Sequence, residues 1–378
     1  MRAIVVGGGI GGLTAGIALR QAGHEVTVYE RAPAFTEVGT GLHIAINAMR
    51  ALRELDLAEQ AQGAGTPVER MQFLNARGNV LDEWPTGELG RKLGVPPVGV
   101  TRASLLDVLA KGLGDALVLG TEYVGFEQDA DGVTVRLADG SEDRGDVMVG
   151  ADGINSRTRV ALLGAGEPRY AGYTTARAIV DFEHDRAPLG LFRLHWGRGK
   201  VFIYYRVAQG RLYWVAATRT DAERNGDAPT EKNAILAAYR QFPEPVAAIV
   251  EATRDDAIAR VDATDRKPVD HWSDRRVTLL GDAAHPMSPT QGQGACQAIE
   301  DAVVLARSLR EQGDVPSRLR AYEQRRIPRT SKFVKQSRMI GSLGRWRNPI
   351  ACAIRDQAMR RGGKQAYARA AKEMAHDF

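Results

Sequence analysis

The chain begins MRAIVVGGGIGGLTAGIALRQAGHEVTVYE (residues 1–30), the stretch that decides the fold. Its hydrophobic pattern predicts a buried strand, a helix and a second strand, at residues 3–6, 13–21 and 26–29. Gly7, Gly9 and Gly12 stand between the first strand and the helix with the spacing G-x-G-x-x-G. Glycines at this spacing permit a tight turn, close approach of a pyrophosphate to the backbone and close packing of helix on strand. The opening stretch therefore predicts a βαβ unit that binds a dinucleotide.

An acidic residue after the second strand narrows the choice of nucleotide. Glu30 follows Gly12 by 18 residues, where a carboxylate accepts hydrogen bonds from both hydroxyls of an adenosine ribose. The same charge repels a 2′-phosphate, whereas the helix N-terminus attracts the pyrophosphate. FAD or NAD is therefore favoured over NADP, and the adjacent Arg31 is the one feature that points the other way.

The composition predicts an ordinary globular protein of the reducing cytoplasm. The 378 residues are 44% hydrophobic and 26% charged, and no run approaches the roughly 18 apolar residues of a membrane span. No signal peptide is recognisable at the N-terminus. Cys296 and Cys352 are too few for a disulfide framework, and no metal site is expected. The aromatic interleaving typical of a nucleic-acid-binding surface is also missing.

Positive charge is concentrated at the C-terminal end. Residues 307–378 contain 18 Lys and Arg against 6 Asp and Glu, a net charge of +12 in a chain whose total is +5. A solvated helical face is the simplest interpretation. An anionic partner, a phosphorylated cosubstrate and a membrane surface remain as alternatives.

Apolar and alternating runs organise the rest of the chain. Strand-like runs occur at residues 116–127, 133–137, 146–150 and 276–280. Residues 177–218 alternate and are rich in aromatic side chains, which predicts a mostly antiparallel sheet with one face lined by large side chains. From about Gly294 to the end, the pattern is helical.

A second glycine-rich stretch, VTLLGDAAHPMSPTQGQGACQAIEDAVVLA (residues 277–306), predicts a strand, a Gly-Asp pair, a loop and a helix. The helix N-terminus presents free N–H groups to whatever lies over the loop. A reduced flavin carries negative charge near N1 and the C2 carbonyl, which such a loop can stabilise. The stretch therefore favours FAD over NAD as the resident cofactor.

Three motifs in this order resemble the single-component FAD-dependent aromatic-ring hydroxylases, the class A flavoprotein monooxygenases. They are the glycine turn with Glu30, the Asp-Gly motif VGADGINSRTR (residues 149–159), and the Gly-Asp motif with its Pro- and Gly-rich loop. The resemblance extends over most of the chain. Each motif is modest alone, but their order and spacing are specific.

The resemblance implies roles for individual residues. Asp282 would bind the ribityl chain of noncovalently held FAD, and Arg102 would reach the ribityl or pyrophosphate region. Asp152 would hold the flavin side of a groove for NAD(P)H, together with Arg157 and Arg159; its alternative is a cap on the helix that begins near Asn155. The catalytic loop beside the reactive edge of the flavin would comprise Pro289, Gly292 and Gly294, with Gly294 and Ala295 as further cofactor contacts.

The implied reaction is a monooxygenation. NAD(P)H would reduce FAD, O2 would form a flavin C4a-hydroperoxide, and the distal oxygen would hydroxylate or epoxidise an aromatic or other electron-rich small molecule. A flavin-dependent reductase or oxidase of the same fold and a non-enzymatic FAD-binding protein remain as alternatives. The Trp-x-Trp-x-Ile-Pro signature of a halogenase is absent from the sequence. The substrate, the choice between NADH and NADPH, and the choice between monomer and dimer stay open.

Candidate substrate contacts come from the aromatic sheet. They are Arg177, Phe202, Tyr205 and Tyr213. Alternation along a strand turns about half of such residues away from a pocket. His43 and His285 are interpreted as structural, because the flavin carries the chemistry. Similar proteins have a proline and a glycine where this chain has Ile46 and Asp56.

The expected fold class is α/β, with a Rossmann-type FAD-binding domain, an inserted β-sheet substrate domain and C-terminal helices. The FAD-binding domain would comprise residues 1–70, 98–170 and 271–330. The substrate domain would comprise residues 71–97 and 171–270, and the C-terminal helical region residues 331–378.

Overall fold

A computed structural model describes residues 1–35, 39–220 and 231–378. The strands are β1 (Arg2–Val6), β2 (Glu25–Tyr29), β3 (Gly41–Ile44), β4 (Gly65–Pro67), β5 (Arg70–Asn75), β6 (Val80–Trp84), β7 (Val98–Thr101), β8 (Leu117–Val118), β9 (Tyr123–Gln128), β10 (Val133–Leu137), β11 (Glu142–Gly145), β12 (Val147–Gly150), β13 (Arg169–Asp181), β14 (Leu191–Trp196), β15 (Lys200–Ala208), β16 (Arg211–Arg219), β17 (Ala259–Asp265), β18 (Ser273–Asp274) and β19 (Val277–Leu279). The helices are α1 (Ile10–Gln21), α2 (Ile46–Glu54), α3 (Ala58–Gly63), α4 (Thr86–Lys92), α5 (Arg102–Leu113), α6 (Arg157–Leu163), α7 (Lys232–Tyr239), α8 (Val246–Ala252), α9 (Gly294–Leu309), α10 (Val315–Gly344) and α11 (Pro349–Met374).

A parallel sheet forms the first layer, and both of its faces are covered. Its strand order is β18-β19-β12-β1-β2-β8, and only β18 runs antiparallel to its neighbour. Ala3 and Val5 join the core formed with α1, α5 and α9, whereas Ile4 and Val6 join the core beneath β9 and β10. Burial on both faces explains the continuous apolar run of β1.

The inserted region forms a second, seven-stranded sheet with the order β17-β13-β16-β15-β14-β5-β6. Its pairs are antiparallel except for β14 and β5, which run parallel. One face packs against α7 and α8, and the opposite face packs against α10 and α11. The predicted α/β architecture with an inserted, mostly antiparallel aromatic sheet is confirmed, and the parallel pairing of β14 with β5 is an addition to it. The proposed domain limits stay a prediction.

Some element boundaries differ from the sequence expectation. The C-terminal region is divided into α9, α10 and α11, which confirms the expected C-terminal helices. Asp314 caps α10, and Asn348 caps α11 through its side-chain oxygen, because both side chains accept hydrogen bonds from backbone N–H groups of the first turn. The strand predicted at residues 116–127 is interrupted between β8 and β9. Asp56 has a φ of +58°, in the left-handed region that glycine favours, which fits the glycine of similar proteins at this position.

Buried charges join α9 to α10. Glu300 and Asp301 are fully buried on α9, and Arg326 of α10 is 1% exposed. Arg326 donates to Asp301 Oδ1 at 2.6 Å through Nε and to Glu300 Oε2 at 2.6 Å through Nη1, while Arg329 donates to both oxygens of Glu300 at 2.7 and 2.8 Å. Burial raises the pKa of Asp301, but the charges of His285 and Arg326 outweigh that effect and hold it at about 2. The pair is therefore ionised at neutral pH and fully hydrogen-bonded.

We expect Arg326→Met to lower the free energy of unfolding by about 3–5 kcal/mol, because it removes one cation from two buried carboxylates. Urea titration followed by circular dichroism measures the change. Arg254→Met is the matched control, since Arg254 pairs with Asp256 on the surface and its loss should leave the urea midpoint unchanged. Equal midpoints for wild type and Arg326→Met would contradict a stabilising role of the buried cation.

Candidate functional site

Of the three motif glycines in the turn, only Gly9 has open space beside it. Gly7 has a φ of +104°, and a Cβ on Gly12 would lie 1.9 Å from the carbonyl oxygen of Gly7. A Cβ on Gly9 would meet no atom within 4 Å. Gly9 is also the N-cap of α1, and no side chain caps the helix there. Gly7 and Gly12 therefore shape the turn, and Gly9 leaves room for an anion at the helix N-terminus.

Glu30 is held next to this turn by backbone donors. Its Oε2 accepts a hydrogen bond from the N–H of Gly8 at 2.6 Å, and its Oε1 accepts from the N–H of Ala32 at 2.9 Å. A Cβ on Gly8 would lie 2.6 Å from the Cβ of Glu30, so glycine is required for this approach. The carboxylate is thereby oriented at the end of β2, where a ribose would lie, and Arg31 beside it is exposed.

Arg102 lies within electrostatic range of three other predicted side chains from distant parts of the sequence, namely Glu30, Arg177 and Asp282. Burial lowers the pKa of Arg102, and the charge of Arg177 lowers it further, whereas Glu30 and Asp282 raise it. Solvent reaches the Asp282 side chain, yet protein surrounds it on most sides, and this burial raises the pKa of its carboxyl against the opposing effects of His285 and Arg102. Asp282 therefore lies in a cleft rather than on an open surface, within electrostatic range of Arg102.

The turn that carries Asp282 is fixed from two sides. Asp301 Oδ2 accepts a hydrogen bond from the N–H of Gly281 at 3.1 Å and contacts His285 Nε2 at 2.5 Å. From the other side, Arg159 Nη1 donates to the carbonyl oxygens of residues 283 and 284, each at 2.8 Å. Arg159 is 7% exposed, so it braces the turn and does not line an open NAD(P)H groove. Its expected place in that groove is therefore wrong, and the physical reason is that two carbonyl groups occupy its guanidinium.

The Asp152 carboxylate engages the start of α6. Its Oδ1 accepts from Ser156 Oγ at 2.5 Å, and its Oδ2 accepts from the N–H of Thr158 at 3.1 Å. The helix begins at Arg157, and Arg157 pairs with Glu122 at 3.0 Å on the surface. These contacts match the helix-capping alternative for Asp152, and a role beside NAD(P)H stays a prediction.

The loop between the Gly-Asp turn and α9 is open around its glycines. A short 3-10 turn spans Pro289–Gln291, and Gly292, which follows it with a φ of +64°, has open space where a Cβ would stand. A Cβ on Gly294 would lie 3.9 Å from Asp282 Oδ1. No side chain caps α9 at this end. The uncapped N-terminus of a 16-residue helix, with Ala295 in its first turn, therefore adjoins the Asp282 cleft.

Three of the four predicted substrate residues come together. Arg177 contacts the Tyr213 hydroxyl and lies within electrostatic range of Tyr205, and the rings of Tyr205 and Tyr213 are 5.5 Å apart. Small glycines on two neighbouring strands allow this packing, since a Cβ on Gly41 would lie 2.4 Å from Tyr213 and one on Gly99 would lie 2.9 Å from Tyr205.

Phe202 lies on the opposite face of the sheet. It is fully buried and stacks on Trp214 with ring centroids 5.7 Å apart, in the core beneath α7 and α8. Because successive side chains alternate, Tyr205 faces the Arg177 side, whereas Phe202 faces away from it. The expectation that Phe202 contacts substrate is therefore corrected.

Two residues outside the predicted set join the tyrosine cluster. His43 lies 5.5 Å from Phe192 and 6.4 Å from Tyr205 between ring centroids, and Phe192 stacks on Tyr205 at 4.9 Å. Burial lowers the pKa of His43 to about 4, so its imidazole is neutral at physiological pH. The alternation of β3 and β14 is the only sequence signal that could have placed these rings beside Tyr205.

We expect Gly9→Ala and Gly12→Ala to have different defects. Gly9→Ala should fold normally but purify with several-fold less FAD, because the added methyl group enters the space that we assign to the pyrophosphate. Gly12→Ala should lower the melting temperature of the flavin-free protein, since its Cβ meets backbone. Absorbance at about 450 nm relative to 280 nm and thermal melting of apoprotein separate the two effects. Full FAD occupancy in Gly9→Ala would contradict the assignment.

Comparison with known proteins identifies the family. Residues 1–337 match the family model described as the FAD binding domain. The chain is 41% identical over 362 residues to the aurachin C monooxygenase/isomerase of Stigmatella aurantiaca, with 94% of this chain and 93% of the relative covered. It is 33% identical to the FAD-dependent urate hydroxylase of Klebsiella pneumoniae, with 89% of each chain covered.

The fold is similar to that of a solved structure. The crystal structure of Klebsiella pneumoniae HpxO complexed with FAD and uric acid aligns with a TM-score of 0.92 at 30% identity, covering 99% of this chain and 96% of that one. The open glycine turn, the oriented Glu30 and the Arg102–Asp282 cleft supply what a bound FAD requires. The chain therefore belongs to the single-component, FAD-dependent aromatic hydroxylase family and is an FAD-dependent monooxygenase.

Proposed function

We propose that this monooxygenase uses NAD(P)H and O2 to insert one oxygen atom into an electron-rich ring of a small molecule. In balance, NAD(P)H, a proton, O2 and the substrate give NAD(P)⁺, water and the oxygenated product. Bound FAD supplies hydride acceptance and the activation of O2. The observation that carries the proposal is the convergence of Arg177 on both the Arg102–Asp282 cleft and the two tyrosines. The uric acid bound by the HpxO relative supports a ring substrate of this size.

The cofactor would be held along the cleft from one end to the other. Gly9 would admit the pyrophosphate, Glu30 the ribose hydroxyls, and Arg102 and Asp282 the ribityl region. The N–H groups at Gly294 and Ala295 would face the end of the flavin that becomes negative on reduction, where oriented donors stabilise charge. Pro289 restricts the backbone of the same loop.

The substrate would lie against the tyrosine cluster and accept hydrogen bonds from it. Within the described residues, Arg177 Nε and His43 Nε2 are buried without a hydrogen-bond partner. A buried donor without a partner costs about 1–3 kcal/mol, which a ligand acceptor offsets. Burial raises the pKa of Tyr205 and of Tyr213, so both phenols remain neutral donors. We therefore propose a substrate ring that carries a phenolic, enolic or carbonyl oxygen toward Arg177.

NAD(P)H would dock transiently, since the FAD occupies the glycine cradle. A position beside Asp152 and the exposed Arg157 is the proposed docking surface, and the choice between NADH and NADPH is left to kinetics. A cytoplasmic location is supported by Cys296 and Cys352, which are both buried free thiols. The protein would act as a monomer or dimer.

The proposed reaction predicts that one atom of labelled O2 appears in the product. Purified holoenzyme, NADH or NADPH, ¹⁸O2 and a panel of hydroxylated aromatic and heteroaromatic rings would be analysed by mass spectrometry. Incorporation of one ¹⁸O atom with stoichiometric NAD(P)H consumption is expected for at least one ring. If every electron pair from NAD(P)H were recovered as hydrogen peroxide and no ring in the panel carried ¹⁸O, the protein would be assigned to the oxidase or reductase class.

Arg177→Met should reduce kcat/KM for the ring substrate by about 10–150-fold, the value of a lost charged hydrogen bond of about 1.5–3 kcal/mol. FAD content should be nearly unchanged, and Arg177→Lys should restore part of the activity. Arg193→Met is the matched control, because Arg193 lies on the same sheet but bonds Gln72 and Tyr204, away from the cluster. Equal losses in Arg177→Met and Arg193→Met would indicate a general effect on the sheet and not substrate recognition.

A further inference from the structure

Helix α11 packs against the inserted sheet with one face only. Met359 joins the core beneath that sheet, and a Cβ on Gly363 would lie 2.4 Å from the Asp82 side chain of β6. Further along, Tyr367 lies 6.0 Å from Trp84 between ring centroids. The residues on the inner face are therefore accounted for by contacts within the chain.

The outer face of α11 is apolar at its beginning and basic after it. Ile350 is 70% exposed and Ile354 is 62% exposed, and Trp346, just before the helix, is 37% exposed. On the same face follow the exposed polar and basic residues Gln357, Arg361, Lys364 and Lys372 at helical spacing, with Ala368 between the last two. We call Trp346, Ile350, Ile354, Arg361, Lys364 and Lys372 the outer face. Two exposed isoleucines one turn apart on a folded helix form an apolar patch that the rest of the described chain does not cover.

The charge on this face has one sign. Residues 345–372 contain eight Lys and Arg and a single acidic residue, Asp356. Asp356 pairs with Arg355 at 2.8 Å, and that arginine side chain is 3% exposed on the inner side. In the part of the chain that the structure describes, Arg361, Lys364 and Lys372 form no ion pair. The face therefore offers an uncompensated positive charge beside exposed apolar side chains.

We propose that the outer face of α11 docks on the surface of a lipid bilayer that contains anionic phospholipids. The helix would lie in the plane of the interface, with Ile350, Ile354 and Trp346 among the acyl chains and the basic residues at the phosphates. This is an in-plane contact: among the described residues no helix has the length and apolar character to cross a bilayer. The proposal is independent of the substrate that the enzyme oxidises.

The charge distribution favours a bilayer over a second copy of this chain. A twofold contact through this face would set the basic residues of the two copies opposite each other or, with the helices antiparallel, set the isoleucines of one copy against the basic residues of the other. Neither arrangement supplies an acidic partner for the positive charges. An anionic bilayer offers acyl chains to the apolar side chains of the outer face and phosphates to its basic side chains. The solvated helical face favoured by composition explains the lysines and arginines but not the exposed isoleucines.

The docking face belongs to the same helix pair that holds the catalytic loop. Ser337 of α10 accepts a hydrogen bond from Thr290 Oγ1 at 2.7 Å, and Gly341 would place a Cβ 3.2 Å from Thr290. Helix α10 ends three residues after Gly341, at Gly344, and the connection to α11 follows directly. Docking would therefore hold the catalytic end of the molecule near the membrane surface.

The test uses holoenzyme and vesicles of phosphatidylcholine with or without about one-third phosphatidylglycerol. Sedimentation at low ionic strength should show binding to the anionic vesicles, weaker binding to pure phosphatidylcholine, and release as salt is raised above about 0.3 M. Phosphatidylcholine brominated on its acyl chains should quench the fluorescence of Trp346, the most exposed tryptophan, and Trp346→Phe should abolish most of that quenching.

Paired variants locate the contact. Ile350→Ser/Ile354→Ser and Arg361→Gln/Lys364→Gln should each lower the affinity for anionic vesicles about tenfold or more. The matched controls are Leu189→Ser, an exposed leucine elsewhere, and Arg136→Gln/Lys111→Gln, which removes the same number of positive charges from β10 and α5. Both controls should bind like wild type, and all variants should retain FAD.

Three outcomes would overturn the proposal. One is an absence of binding to anionic vesicles at low salt. Another is binding that falls equally in Arg136→Gln/Lys111→Gln and persists in Ile350→Ser/Ile354→Ser, which would indicate charge attraction without a docking face. The third is a dimer in analytical ultracentrifugation that Ile350→Ser/Ile354→Ser converts to monomer, which would assign the face to a second copy.

Discussion

Two adjacent buried carboxylates, Glu300 and Asp301, determine how the C-terminal helices meet the cofactor end of the parallel sheet. Each needs cations and donors because an unpaired charge cannot remain ionised away from water. Arg326 of α10 satisfies both carboxylates, and Asp301 also receives the backbone N–H of Gly281. A single helix turn of α9 therefore fixes the position of α10 and the turn that presents Asp282. Asn47 Nδ2 donates to Glu300 at 2.6 Å and to Gln293 at 3.1 Å, which extends the same constraint to the residue before Gly294.

The parts of the site that the sequence could predict are those in which a local motif determines both conformation and contact. Gly7, Gly9 and Gly12 act through the backbone of one turn, so their spacing is sufficient to place them. Glu30 lies at the end of the adjacent strand, where the parallel pairing of β1 and β2 brings it beside Gly8. The same reasoning places Arg102 at the first position of α5 and Gly294 at the first position of α9.

The parts of the site that the sequence could not predict depend on the register of a strand or on partners that are distant in the sequence. Phe202 and Tyr205 are both aromatic residues of β15, and only the register with β14 and β16 decides which of them faces Arg177. Asp152 illustrates a different difficulty, because a carboxylate that caps a helix and a carboxylate that binds a ligand are the same residue type in the same motif. The contacts of Arg159 with the carbonyl groups of residues 283 and 284 join positions more than 120 residues apart, for which the local pattern contains no signal.

The buried carboxylates of α9 and the polar groups beside the aromatic sheet differ in how completely they are hydrogen-bonded. All four carboxylate oxygens of Glu300 and Asp301 accept hydrogen bonds within the chain, so this region gains rigidity from its charges. Around Arg177 and His43, by contrast, buried nitrogens lack partners within the described residues. An unmatched buried donor is unfavourable in the folded chain alone and becomes favourable when a ligand supplies the acceptor. In the proposed function, the paired carboxylates on the α9 side would hold the cofactor-binding turn in place, and the incompletely paired aromatic wall on the sheet side would discriminate among substrates.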